Sequence, residues 1–156
     1  MKILFICTHN RCRSILSEAI FNQVGKSNIE ARSAGSHPAG EVHPATVKHL
    51  QKAGYNTEGL KSESWDDYED FEPDVVVTVC DSAAGETCPV YFGKTLKVHW
   101  GLADPSKIQD SEAAQSEGFK HVISEIEARA KAVNQFALAN LDGDAQRVAL
   151  NKLGAN

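Results

Sequence analysis

The chain has 156 residues, of which 42% are apolar and 24% charged, a balance that suits one compact domain with a buried core and excludes a largely disordered chain. Sixteen Lys and Arg against 21 Asp and Glu leave a formal charge of −5. With no basic run longer than two residues, neither a nucleic-acid backbone nor an anionic membrane is expected as a partner. Residues 1–156 are expected to form a single domain acting as a monomer, with a short C-terminal extension from about residue 141.

Residues 2–6 are a continuous apolar run, as in a strand buried on both faces of a parallel sheet. The run is too short for the apolar region of a signal peptide and far too short to span a bilayer, so a cytosolic protein is expected. From Ser14 the apolar residues Ile15, Leu16, Ala19, Ile20 and Val24 recur at helical spacing until Gly25. Residues 29–34 read as a second strand. Pro44 to Gly54 has a proline in its first turn and a glycine at its end, with Val47, Leu50 and Ala53 on one face, which predicts a second helix.

Residues 58–86 hold ten of the 21 acidic residues and one base, Lys61, so the rest of the chain nets +4. The stretch around Trp65 to Phe71 reads as a solvated helix or loop without a ligand. Residues 75–79, Val-Val-Val-Thr-Val, are the clearest buried strand and run directly into Cys80. A weaker strand over 95–100 precedes a polar loop through Asp104-Pro105. Phe119, Val122, Ile123, Ile126, Ala130, Val133 and Ala137 mark a long amphipathic helix, and a short one is expected after Gly143. Strands alternating with helices predict a parallel α/β sheet covered on both faces, with its site at the carboxyl ends of the strands. Cys7, Cys80 and Asp104 all follow predicted strands.

Four cysteines, Cys7, Cys12, Cys80 and Cys88, in a reducing cytosol point to catalytic, redox or metal-binding roles before a disulfide framework. Cys7-Thr8-His9-Asn10-Arg11-Cys12-Arg13-Ser14 lies between a strand and a helix amino terminus. Loop amides and the first helical turn can converge there on an oxyanion, with the helix dipole favouring negative charge. The Arg13 guanidinium can grip two oxygens of a tetrahedral anion at once. The same field is expected to favour the Cys7 thiolate, with Ser14 donating a hydrogen bond to it. One loop would thus supply both a nucleophile and a receptor for the electrophile's oxygens.

Cys-x5-Arg-Ser after a short amino-terminal strand resembles the signature of the low-molecular-weight protein tyrosine phosphatase fold, including the arsenate reductases built on it. The resemblance implies a three-layer α/β sandwich around a mostly parallel four-stranded sheet. It makes Thr8, His9, Asn10, Arg11, Cys12, Arg13 and Ser14 the anion-binding loop, and Asp104-Pro105 the element that brings a general acid over the pocket. Asn10 is expected to hold the loop's shape, because Asn tolerates left-handed backbone. Cys12 is read as a packed thiol.

The phosphatases have no use for further thiols, and two of their residues are missing. Ile15 stands where they usually carry proline, and Ser106 where their tyrosine follows Asp-Pro. Val-Thr-Val-Cys80, Cys88-Pro89 and His99-Trp100-Gly101 instead resemble the thiol-relay arsenate reductases. That resemblance implies attack of Cys7 on arsenate, a Cys7–Cys80 disulfide as arsenite leaves, then a Cys80–Cys88 disulfide reduced by thioredoxin or by glutaredoxin with glutathione. No bound cofactor is expected. Nor is a resident metal, since Cys7 and Cys12 have four residues between them and alone approach the close pairing of a zinc site.

Overall fold

The computed structural model describes residues 1–80, 95–139 and 143–154. Four strands among them, β1 (Lys2–Ile6), β2 (Glu30–Ala34), β3 (Val75–Thr78) and β4 (Leu96–His99), form one sheet in the order β2-β1-β3-β4, with every pairing parallel. β1 is internal to the sheet because it is apolar from Ile3 onward. Ile3, Leu4, Phe5 and Ile6 are all buried, although alternate side chains point to opposite faces, so both faces are covered. Val75, Val76 and Val77 of β3 are buried in the same way. The expected doubly covered parallel sheet is present.

Four α-helices are described: α1 (Arg13–Gly25), α2 (Pro44–Lys52), α3 (Glu112–Ala139) and α4 (Gly143–Gly154). α1 follows β1 after a short loop and buries Ile15, Leu16, Ile20 and Phe21. Phe21 meets Phe5 edge-on at 4.8 Å, a geometry that aligns ring edge with ring face. Against this core α3 buries Phe119, Val122, Ile126, Ala130 and Val133, the stripe expected from its spacing. Trp100, just past β4, donates its indole N–H to the carbonyl of Leu150 at 2.7 Å, which ties α4 to the sheet edge. Leu150 itself is buried.

α3 begins seven residues before the first apolar position of its predicted stripe. Ser111 starts it, its hydroxyl accepting from Ala114 N–H at 3.0 Å and its carbonyl from Gln115 N–H at 3.0 Å. Gly118 lies inside the helix where Ile108 presses on the backbone. A Cβ there would stand 2.3 Å from the Ile108 Cδ1. The Trp65–Tyr68 segment is a single 3-10 turn in which Ser64 and Asp67 form a reciprocal capping box. Its aromatic residues are less solvated than expected: Trp65, Tyr68 and Phe71 are half-buried against the core.

Candidate active site

Cys7 follows the last residue of β1, and its N–H donates to the carbonyl of Ala34 at 3.2 Å. The chain then turns through Asn10, whose φ of 47° is left-handed, and enters α1 at Arg13. Asn10 is buried and holds the turn from both sides. Its amide donates to Ser14 Oγ at 2.8 Å, and its Oδ1 accepts from Glu63 N–H at 2.7 Å. A second segment runs alongside: His37 N–H donates to Thr8 O, Ala39 N–H to His9 O and His43 N–H to Arg11 O, each at 2.9 Å.

Gly35 is what lets these segments meet. A Cβ there would lie 2.6 Å from Thr8 O and 2.9 Å from Cys7 O, both main-chain atoms of the nucleophile loop that cannot swing aside. Gly35→Ala is therefore expected to cost about 1–3 kcal/mol of stability. It should also weaken phosphate binding, because the loop is pushed out of shape. Chemical denaturation and calorimetric titration would check the two effects, and a variant with wild-type stability and affinity would contradict this contact.

A cavity of about 220 Å³ opens over the loop, lined by Cys7, His9, Arg11, Cys12, Arg13, His43, Asp104, Ser106, Lys107 and Gln109. A larger one of about 470 Å³ between α2 and α3 contains no cysteine and stands apart from this chemistry. Cys12 precedes the first turn of α1 and gives it no side-chain cap, which leaves that turn's N–H groups for an anion. Arg13 is held on one side by Leu102 O, to which Nη1 donates at 3.2 Å, and on the other by Asp104, whose Oδ2 lies 3.6 Å from Nη2. Its Nε is buried with no protein partner. Such a donor is costly unless a ligand satisfies it, and it belongs to the residue expected to grip the oxyanion.

Asp104 caps the 3-10 turn Pro105–Lys107, with Oδ1 accepting from Ser106 N–H at 3.0 Å and from the Ser106 hydroxyl at 2.6 Å. Ser106, where the phosphatases carry tyrosine, thus orients the carboxylate. Of the predicted loop residues, Cys7, His9, Arg11, Cys12 and Arg13 line the cavity, whereas Asn10 and Ser14 are buried behind it and hold the loop. Among the described residues no Phe, Tyr or Trp lines it. Gly35, Leu102 and His43 were not singled out in the sequence. Gly35 and Leu102 act through main-chain contacts, which side-chain chemistry does not announce, while His43 before Pro44 was a legible helix start.

Cys80 lies two residues beyond β3. Its sulfur accepts from Thr8 N–H at 3.4 Å and lies 3.7 Å from the Thr8 hydroxyl. Cys7, Cys12 and Cys80 are reduced, buried thiols. Cys7 is hydrogen-bonded to Cys80, and that bond together with burial raises the Cys7 pKa well above its ordinary value, while the Arg13 charge opposes the rise. Strand order thus sets a second sulfur against Cys7, and its effect opposes the ionisation that Arg13 favours. Burial pushes Cys12 up to about 11, as suits a packed thiol. Cys88 lies outside the described residues.

The sign gives a direct test. A hydrogen bond that keeps Cys7 protonated is lost in Cys80→Ala, so the Cys7 pKa should fall and more thiolate should exist at neutral pH. Alkylation of Cys7, followed by mass spectrometry across pH, should then show a midpoint below that of the wild type. An unchanged or higher midpoint would show that the two thiols are not coupled.

A parallel α/β sheet with a cysteine–arginine loop at the end of its first strand and an Asp-Pro turn over it is the architecture of one phosphatase family. Residues 2–147 match the model of the low molecular weight phosphotyrosine protein phosphatase family, and the chain belongs to it. Within it, the arsenate reductase of Halalkalibacterium halodurans is 33% identical over 129 residues, covering 83% of this chain and 91% of that protein. An arsenate reductase from Archaeoglobus fulgidus superposes with a TM-score of 0.68 at 28% identity, covering 85% of this chain and 98% of that one. A Corynebacterium glutamicum thioredoxin-dependent arsenate reductase gives 0.68 at 28% identity, over 90% of this chain and 63% of the other.

Proposed function

We propose that the protein reduces arsenate to arsenite. The observation that carries this reading is a second thiol set against the Cys7 loop: Cys80 sulfur accepts from Thr8 N–H at 3.4 Å, while Cys7 lines the anion cavity. A hydrolase needs one thiol there, whereas reduction of arsenic(V) needs two that can join. Arg13 and the amides at the start of α1 hold the oxyanion. Cys7 sulfur forms a bond to arsenic, and the Cys7 proton leaves with an arsenate oxygen as water, carried by Asp104. Cys80 sulfur then attacks Cys7 sulfur. The sulfur–arsenic bond breaks with its electron pair on arsenic, arsenite departs and a Cys7–Cys80 disulfide remains. Arsenate and two thiols give arsenite, one disulfide and one water, so atoms and electrons balance.

Cys88 next attacks Cys80, freeing Cys7 and leaving a Cys80–Cys88 disulfide for an external thiol reductant. Thioredoxin is the reductant this reading favours, because one similar structure is of a thioredoxin-dependent enzyme; glutaredoxin with glutathione is the alternative. A monomer in a reducing cytoplasm fits a relay that must be reset after every turnover. Among the described residues no helix is long and apolar enough to cross a membrane, and no group of three His, Cys, Asp or Glu could hold a metal ion.

The deciding assay is arsenate-dependent NADPH oxidation with thioredoxin and its reductase, run on wild type, Cys80→Ser and Cys88→Ser, and repeated with glutaredoxin and glutathione. Turnover in the wild type and its loss in both variants is expected. Full turnover in both variants would overturn the relay and move the reading toward phosphatase chemistry.

A further inference from the structure

His43 stands at the amino terminus of α2 and has no part in the steps above, yet it lines the same cavity as Cys7, Arg11, Arg13 and Asp104. Its main chain is pinned to the nucleophile loop by the bond from His43 N–H to Arg11 O at 2.9 Å. Thr46 reinforces that link, its hydroxyl donating to the same carbonyl at 3.3 Å. The imidazole is held as well. Nδ1 accepts from Ala45 N–H at 3.1 Å and so caps α2.

That cap decides the tautomer. A nitrogen that accepts a hydrogen bond carries no proton, so in the neutral ring the proton sits on Nε2. Protonating Nδ1 would break the cap. Histidine is not among the side chains that helix starts prefer, and Asn, Asp, Ser or Thr would cap as well or better. What histidine adds is a second, donating nitrogen on the far side of the ring.

We propose that His43 is a substrate-binding residue, a neutral donor whose Nε2–H meets one oxygen of the bound oxyanion that Arg13 and the loop amides leave unpaired. The inference rests on the oxyanion reading of the cavity. Burial and then the Arg11 charge lower the His43 pKa, with Asp104 opposing, so the ring stays neutral near pH 7. His9, Arg13 and Lys107 also line the cavity, and their positive charges, when present, disfavour an imidazolium there. A neutral donor suits the place: it satisfies an oxygen without adding to a cluster of cations that already repel one another.

His43→Asn separates binding from capping, because the Asn side-chain oxygen can accept from Ala45 N–H while nothing replaces Nε2–H. Inorganic phosphate, an unreactive oxyanion of the same shape, serves as probe in calorimetric titrations. The phosphate Kd and the arsenate KM should each rise about tenfold or more. The kcat should stay within about twofold and the Tm should be unchanged. Two-bond proton–nitrogen spectra of the wild type should show the Nε2–H tautomer at pH 7, with Nε2 shifting when phosphate is added. An unchanged phosphate Kd in His43→Asn, or an Nδ1–H tautomer in the wild type, would overturn the proposal. The spectra decide it even if the variant fails to fold. A wild type that binds no phosphate would sink both this role and the oxyanion reading, whereas wild-type binding with an unaltered variant would sink this role alone.

Discussion

Cys7→Ser should abolish arsenate reduction, lowering turnover by about 10,000-fold or more, because the hydroxyl is a far poorer nucleophile and cannot form the disulfide that supplies the electrons. Cys80→Ser should also stop multiple turnover, but by a different route. It keeps the nucleophile, the cradle and Asp104, so arsenate still binds and the Cys7 adduct can form, while the thiol assigned to release arsenite is gone. Rapid-quench measurement of arsenite per enzyme separates the two. Neither variant should release arsenite in a single turnover without added thiol. Excess small thiol should restore slow release to Cys80→Ser, since an outside sulfur can attack Cys7, and should not restore it to Cys7→Ser. Arsenite release by Cys7→Ser at a rate near that of the wild type would remove Cys7 from the chemistry.

Arg13→Lys is the second large effect expected, a fall in kcat/KM of about 100- to 1,000-fold despite the conserved charge. The guanidinium performs three tasks at once. Nη1 holds the Leu102 carbonyl, Nη2 faces Asp104, and the buried Nε is left for the ligand. An ammonium has three donors at one point and cannot span these positions. The Asp104 loop would lose its tie to the Cys7 loop, so kcat should fall along with affinity. Phosphate affinity measured beside the kinetics would expose a loss confined to binding, and a variant with wild-type kcat would show that Arg13 does not align the acid.

The apolar runs of β1 and β3 were legible because a strand buried on both faces has no polar position to confuse its pattern. The start of α3 was missed for the opposite reason. Residues 112–118 are mostly polar and small and have no apolar period, and their helix is set by the Ser111 cap and by Ile108 packed against Gly118. At the site, the Cys7 loop was legible as one contiguous segment whose residue types state an anion-binding purpose. The Arg13–Asp104 pair was less so, since 91 positions separate the two and only the order of the strands brings them together.

The contiguous loop that carries Cys7 and Arg13 and the parallel sheet could be read from the chain, because each rests on local pattern or residue chemistry. The protonation of Cys7 could not. A cysteine beside an arginine at a helix amino terminus is expected to ionise, and it is the parallel pairing of β1 with β3 that sets Cys80 against it, so that Cys80 and burial raise the Cys7 pKa while Arg13 lowers it. The close approach at Gly35 and the tautomer of His43 likewise depend on main-chain atoms from distant segments. Spacing along a chain specifies what a residue can do; which atom faces it, and so which charge it carries, is settled only when segments far apart in sequence pack within hydrogen-bonding distance.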